Sequence, residues 1–239
     1  KNDATINGAT WTTGRINKAL QFNGASNYVN ASSSITPQTF TISFWINPQN
    51  VSATDFNFFV VDKEGWSGGN EYGYAAHFVS GNKFKFLFGD GTPTQRNVIS
   101  STGLSANTWY HLAATYDGSS FKLYINGVLN NYSTYSTYPS YNVNYPLFIG
   151  ANDGSSGFFK GIIDEVKIWN RALTDAEIKS EYNVTSICDS TCKLQGYTTG
   201  SCKSGGAAQS LVIKRYTVNE YGTFDTTPKI YAGLYDMCQ

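Results

Sequence analysis

The chain has 239 residues, with 17 Lys+Arg balanced by 17 Asp+Glu, and only 14% of it is charged, against roughly 25% in ordinary soluble domains. With no net charge to draw in a polyanion, nucleic acid and anionic membranes are excluded as main partners, and no apolar run is long enough to span a bilayer. The length fits one large all-β domain or a domain of roughly 190 residues plus an appendix, and the 41% hydrophobic and 15% aromatic content is ample for a buried core.

In chain order, strand patterns dominate. In "TFTISFWIN", Phe40, Ile42, Phe44 and Ile46 alternate with Thr41, Ser43, Trp45 and Asn47, the period of a strand with one apolar face. "KFKFLFG" repeats this with Phe84, Phe86 and Phe88. "TWYHLAATY" and "FKLYINGVLNNY" follow, and Asn126-Gly127 in the latter is the strongest short hairpin signal. Turn clusters "SGGN" and "NDGSSG" separate the runs, so the pattern predicts an antiparallel two-sheet sandwich. Trp45, Trp109 and Trp169 lie in strand blocks and are expected in the core, and His77 and His111 fall among strand patterns, where His111 is expected to be structural.

"TDAEIKSEY" opens with Thr174 and carries Glu177 three residues on. This is a capping box, in which each side chain satisfies the other end's orphan amide. The helix it starts is too short for a core element and is expected as a lid or connector.

After Tyr182 the texture becomes turn-rich and cysteine-bearing. Cys188, Cys192, Cys202 and Cys238 offer a single short Cys-Cys spacing, whereas zinc sites repeat such pairs or add nearby His. Two disulfides and an oxidising compartment are therefore expected, with connectivity open among three pairings. The runs "SLVIKRYTV" and "KIYAGLYDM" look like strands. This divides the chain into a sandwich over 1–183 and a small disulfide-stapled appendix over 184–239. A start at Lys1 without Met or a signal-peptide pattern reads as a processed or excised piece.

Adjacent Asp164 and Glu165 sit within the apolar stretch "GIIDEVKIW". A glycosidase pair on a strand must share one face, at i, i+2 or i, i+4 spacing; an i, i+1 pair on a regular strand points to opposite faces. No Glu-x-Asp-x-x-Glu run, Ser-His-Asp signature or phosphate loop occurs, so the chain reads as non-enzymatic, and Glu165 is expected to be a solvated or cross-strand residue.

"GRINKALQFNGASNYVN", "TFTISFWINP", "TWYHLAATYDGSSFKLYINGVLNN", "LFIGA" and "GFFKGIIDEVKIWNRALTDAEI" resemble, in order, successive blocks of the laminin-G-like, concanavalin A-like jelly-roll family, from about Gly8 to Tyr182. The resemblance implies an all-β jelly roll of two face-to-face antiparallel sheets, non-catalytic binding or adhesion at surfaces, and one structural Ca2+. For that ion it points to Asp164 and Gly24, with Asn2 or Asp3 standing in for the family's first-strand ligand. That first strand is expected to be missing before "NGATW", which would bare an edge. One of the runs Leu211–Val218 and Lys229–Met237 is expected to fill it, in its own chain or in the next subunit. The alternative role for Asp164 is to accept backbone amides at a strand kink.

Sugar sites set aromatic faces beside amide and carboxylate groups on rigidly held loops. Two segments qualify. "DKEGWSGGNEYGY" supplies Trp66, Asn70, Glu71, Tyr72 and Tyr74, where Trp66 is either a ligand platform or a loop anchor. "NNYSTYSTYPSYNVNYP" supplies Tyr132, Tyr135, Tyr138, Tyr141 and Tyr145, suited equally to a protein contact. Sequons at Asn30, Asn50, Asn131 and Asn183 mark possible N-glycosylation. The expected partners are glycans or surface proteins outside the cell. A second reading is a self-assembling subunit of a surface filament, pilus, sheath or layer.

Overall fold

The computed structural model describes residues 2–16, 18–31, 34–53, 57–141, 145–183, 209–212 and 231–234. Its strands run β1 (Asn2–Asp3), β2 (Thr5–Asn7), β3 (Thr10–Thr13), β4 (Lys18–Asn23), β5 (Tyr28–Ala31) and β6 (Phe40–Pro48). Next come β7 (Asn57–Asp62), β8 (Gly65–Ser67), β9 (Asn70–Val79), β10 (Lys83–Asp90), β11 (Arg96–Ile99) and β12 (Tyr110–Tyr116). The series closes with β13 (Ser120–Ile125), β14 (Val128–Thr134), β15 (Leu147–Ile149), β16 (Lys160–Trp169), helix α1 (Asp175–Asn183), β17 (Gln209–Val212) and β18 (Tyr231–Leu234).

Two large antiparallel sheets face each other. One has eight strands in the order β11-β10-β9-β7-β15-β5-β2, with β8 paired to β9. The other has seven in the order β14-β13-β12-β6-β16-β4-β3. Alternation decides which residues enter the space between them. Phe40, Phe44, Phe84, Phe86 and Phe88 all join the central core as expected, and Phe88 stands edge-on to Phe40, with ring centres 6.2 Å apart. Burying each such side chain contributes on the order of 2–3 kcal/mol. The β13–β14 hairpin turns at Asn126 and Gly127 with φ of 52° and 76°, the left-handed pair that Asn-Gly adopts readily.

The outer face of the seven-stranded sheet departs from a simple one-sided pattern. Ala113, Tyr124, Trp169, Leu173 and Ile178 form a second, smaller core there, and the ring of Tyr182 stacks on Trp45 at 5.5 Å. Helix α1 therefore covers this face, and β6 is buried on both sides for most of its length. The capping box forms as the sequence predicts: Glu177 N–H donates to Thr174 Oγ1 at 3.3 Å, and Thr174 N–H to Glu177 Oε2 at 2.8 Å. Arg171 holds the same carboxylate with two bonds of 2.9 and 2.7 Å. Trp45 and Trp169 are buried, Trp169 in this outer cluster and Trp45 under Tyr182; Trp109, placed just before β12, is only half-buried, so its assignment to the core is corrected.

A third sheet, in the order β1-β18-β17, joins the two strands beyond residue 184 to Asn2 and Asp3. The four cysteines lie outside the described residues. Among the described residues no helix is long and apolar enough to cross a membrane.

Candidate functional site

At one end of the sandwich four segments converge: the β8–β9 hairpin, the β10–β11 loop, the turn between β12 and β13, and residues 135–141. Backbone hydrogen bonds tie them together. Gly73 N–H donates to Ser140 O at 2.7 Å, Ser140 N–H to Gly89 O at 2.9 Å, and Glu71 N–H to Thr92 O at 2.9 Å. Tyrosine hydroxyls clamp the long segment. Tyr135 OH donates to Asn97 O at 2.8 Å and accepts from Asn97 N–H at 3.1 Å. Tyr141 OH donates to Pro37 O at 2.5 Å, and Tyr116 OH to Thr137 O.

This framework borders an open, shallow cleft of about 550 Å³ lined by Arg96, Ser119, Thr134, Tyr135, Ser136 and Thr137. Arg96 is oriented by Asp90, with Nη2 2.9 Å from Oδ2. Burial pushes the Asp90 carboxyl up, but Thr92, Arg96 and Thr137 together hold it below its usual value, so it stays ionised and keeps the guanidinium in place. Tyr138, 50% exposed, lays its ring over Gly118, where any side chain would collide with it. The site thus presents an aromatic ring, a planar cation and several hydroxyls on a hydrogen-bonded frame.

The sequence-selected residues divide. Trp66 is 57% exposed and Tyr132 62%, so both present open faces; Trp66 is no buried anchor, although its carbonyl accepts from Tyr145 OH at 3.2 Å. Asn70 and Tyr72 are half-buried on the hairpin, and Tyr72 and Ser140 both approach Gly91. Tyr74 is wholly buried in the core with its hydroxyl donating to Ile35 O, which removes it from the ligand set: even positions of β9 face inward. Tyr135 spends its hydroxyl on Asn97 and acts as scaffold. Arg96, Asp90 and Ser119 escaped the sequence reading, because no local pattern marks residues that meet only through the fold. Asn50, Asn131 and Asn183 are exposed and Asn30 is half-buried; the side-chain amide of Asn131 donates to Ile99 O at 2.9 Å.

A network of carboxylic acids on the other face was also missed. Glu64 hydrogen-bonds Glu71, and burial, followed by that contact, pushes its pKa up to about 9. Gln95 Nε2 donates to Glu64 Oε1 at 2.9 Å and Lys85 Nζ to Gln95 Oε1 at 2.5 Å. The pair is closed on itself rather than standing about 5 Å apart across a gap, as retaining glycosidases require.

Asp164 and Glu165 sit at a β-bulge between Asp164 and Lys167, where Glu165 adopts φ 47°. Asp164 is fully buried. Its Oδ2 accepts Ile16 N–H and its Oδ1 accepts Glu165 N–H, both at 2.9 Å. Burial raises its pKa to about 7 against the pull of those amides. A Cβ at Gly14 would strike Oδ2, so glycine there permits the approach. Glu165 is not solvated: it is 4% exposed and lies 3.6 Å from Lys167 Nζ on its own strand, because the bulge breaks the alternation that the sequence reading assumed.

Gly24 and Asp164, two of the residues expected for calcium, stand apart. Gly24 packs on Lys160, four positions from Asp164 along β16, a separation of about 13 Å at ~3.3 Å per residue. Among the described residues no group of three His, Cys, Asp or Glu side chains could hold a metal. His111 is buried and structural, with burial lowering its pKa to about 3.

Residues 23–179 match the sequence model of the concanavalin A-like lectin/glucanases superfamily, Laminin_G_3. The chain belongs to this family. Its fold is shared with domain 4 of AbnA, a GH43 extracellular arabinanase from Geobacillus stearothermophilus solved with arabinotriose: TM-score 0.60, 22% identity, 74% of this chain and 86% of that one. The binding domain of botulinum neurotoxin DC in complex with SialylT has TM-score 0.59 and 16% identity over 77% of this chain and 46% of that one. The type G neurotoxin receptor binding domain has TM-score 0.55 and 16% identity over 75% and 46%. The chain spans less than half the length of these neurotoxin domains. No curated protein sequence matches it.

Proposed function

We propose that the protein is an extracellular, non-enzymatic module that binds carbohydrate through the cleft at the loop end of its sandwich. The observation that carries this is the placing of Tyr138, half-exposed over Gly118, beside a cleft lined by Arg96, Ser119, Ser136 and Thr137. An aromatic face stacks on the apolar face of a sugar ring while a few fixed polar groups select its hydroxyls. The arabinotriose complex of the AbnA domain supports the ligand class, and its extracellular setting supports the location. A glycan array followed by calorimetry, with and without calcium, tests it: binding to at least one glycan, lost in Tyr138→Ala, is expected. Absence of binding to any glycan or matrix protein overturns it.

A second reading, a self-assembling subunit of a surface filament, pilus, sheath or layer, draws on β14. This edge strand of the seven-stranded sheet reads "VLNNYST", carries no charge, and exposes Val128 at 68%, Leu129 at 42% and Tyr132 at 62%. Edge strands that avoid association carry Lys, Pro or inward charges. Electron microscopy and sedimentation decide: a strictly monomeric particle at high concentration rules it out.

A further inference from the structure

The ladders leave one backbone edge open inside the sandwich. On one side β16 pairs with β6 from Gly161 to Trp169. On the other it pairs with β4 only from Lys160 to Ile163. Among the described residues no ladder continues along that side over Val166–Trp169, because β4 ends at Lys18 and the chain before it swings across Asp164 to form the Ile16 hydrogen bond.

Water does not meet the need of this half-edge. Val166 and Ile168 are 0% exposed, and Lys167 and Trp169 are 5% exposed. Buried N–H and C=O groups require partners, so here the partner must be protein. One strand is placed to supply it. β17 is the last strand of the sheet β1-β18-β17, so one of its own edges is also unladdered, and its Cα atoms lie within 8 Å of those of β16. That spacing is set by backbone placement alone and puts the two strands side by side.

We propose that β17 of the same chain is the strand that closes the open half of β16, making residues 209–212 a latch on the sandwich. The three-stranded sheet is then a clasp through which the last part of the chain and Asn2–Asp3 are held to the body by main-chain hydrogen bonds. This carries no assumption about carbohydrate binding.

Hydrogen exchange on the full chain, read residue by residue, tests it. In the unaltered protein the amides of the Val166–Trp169 half-edge exchange slowly, as those of β6 do. Leu211→Pro removes the amide from the middle of β17 and cannot be accommodated in a central ladder. It should speed exchange over Val166–Trp169 by about tenfold or more, while β6 stays protected; Leu211→Val, which keeps the amide, should not. If Leu211→Pro does not fold, the unaltered protein still decides: exchange over Val166–Trp169 as fast as in the exposed Ser101–Gly103 turn overturns the proposal. Unchanged protection in folded Leu211→Pro also overturns it. Protection that vanishes on dilution together with a fall in sedimenting mass shows that the strand comes from a second copy, and overturns closure within one chain.

Discussion

Lys167 Nζ lies 2.7 Å from Glu181 Oε2, with both side chains at most 10% exposed. This contact joins β16 to α1 through the outer cluster. Burial alone would lower the lysine pKa, but Glu181 and then Glu165 hold it above its usual value. Removing one partner of a buried pair leaves an uncompensated charge, at a cost of about 3–5 kcal/mol. Lys167→Ala should lose about that much in urea denaturation, with helix α1 reporting the earliest loss of exchange protection. A change under about 1 kcal/mol would show that the pair behaves as a surface contact.

Stability should rise as pH falls from about 8 to about 6.5. Above 8 the trend is opposed by Lys63, which burial lowers to about 8 and whose contribution is lost as pH falls through that range. Burial is the first cause of raised values for Asp62 and Asp164, each to about 7, and for Glu64, to about 9. A carboxyl whose folded pKa is raised binds more protons folded than unfolded, so its stabilising contribution is present at low pH and lost as pH rises through the folded value. Below about 6.5 His111, lowered to about 3, opposes the trend, since its contribution is lost as pH falls. Melting temperatures across this range check the sign, and Glu64→Gln should flatten the upper part of the curve. A melting temperature that climbs steadily from pH 6.5 to 8 contradicts the assignment.

Asp164→Asn turns an acceptor into an NH₂ facing an amide N–H and should cost about 1–3 kcal/mol. Because its oxygens are committed to Ile16 and Glu165, the loss should be the same with and without chelator. Chelator should likewise leave the melting temperature of the unaltered protein unchanged. A drop on chelation, absent in Asp164→Asn, would restore the metal role.

Thr174→Ala removes the cap of α1 and should cost about 1 kcal/mol, measured by denaturation. Full stability would mean that the Arg171–Glu177 bonds hold the helix start without the hydroxyl.

Tyr138→Ala should cost less than about 1 kcal/mol, since the side chain is half-exposed and packs on a glycine. Tyr135→Phe should instead destabilise by about 1–2 kcal/mol, because it strands both Asn97 backbone groups. Equal thermal losses in the two variants would place Tyr138 in the scaffold.

The alternating phenylalanines, the Asn126-Gly127 hairpin and the Thr174 box were legible because each is a local rule with a short period. The Tyr74 assignment failed for a related reason: a glycine-rich loop was inferred across residues that already belong to β9, whose alternation sends Tyr74 inward. The Asp164–Glu165 pair was half legible. Spacing argued against a glycosidase pair, yet the bulge that aims Glu165 at Lys167 has no short-period signal, and Glu181, the other partner of Lys167, arrives from the helix. Arg96 and Asp90 carry no signal of their own, and the acid network of Glu64 and Glu71 is assembled from two strand ends meeting Gln95.

The docking of α1 and Tyr182 onto the seven-stranded sheet has an evolutionary reading. With Ile178, Trp169 and Tyr124 packed into one patch, mutation on that side is constrained by folding, and specificity cannot drift there freely. Variation among relatives should therefore concentrate on the hairpin and tyrosine-bearing segment at the loop end, where Trp66 and Tyr138 stand half-exposed or more and where, under the proposed carbohydrate role, a new side chain would alter the ligand without loosening the sandwich.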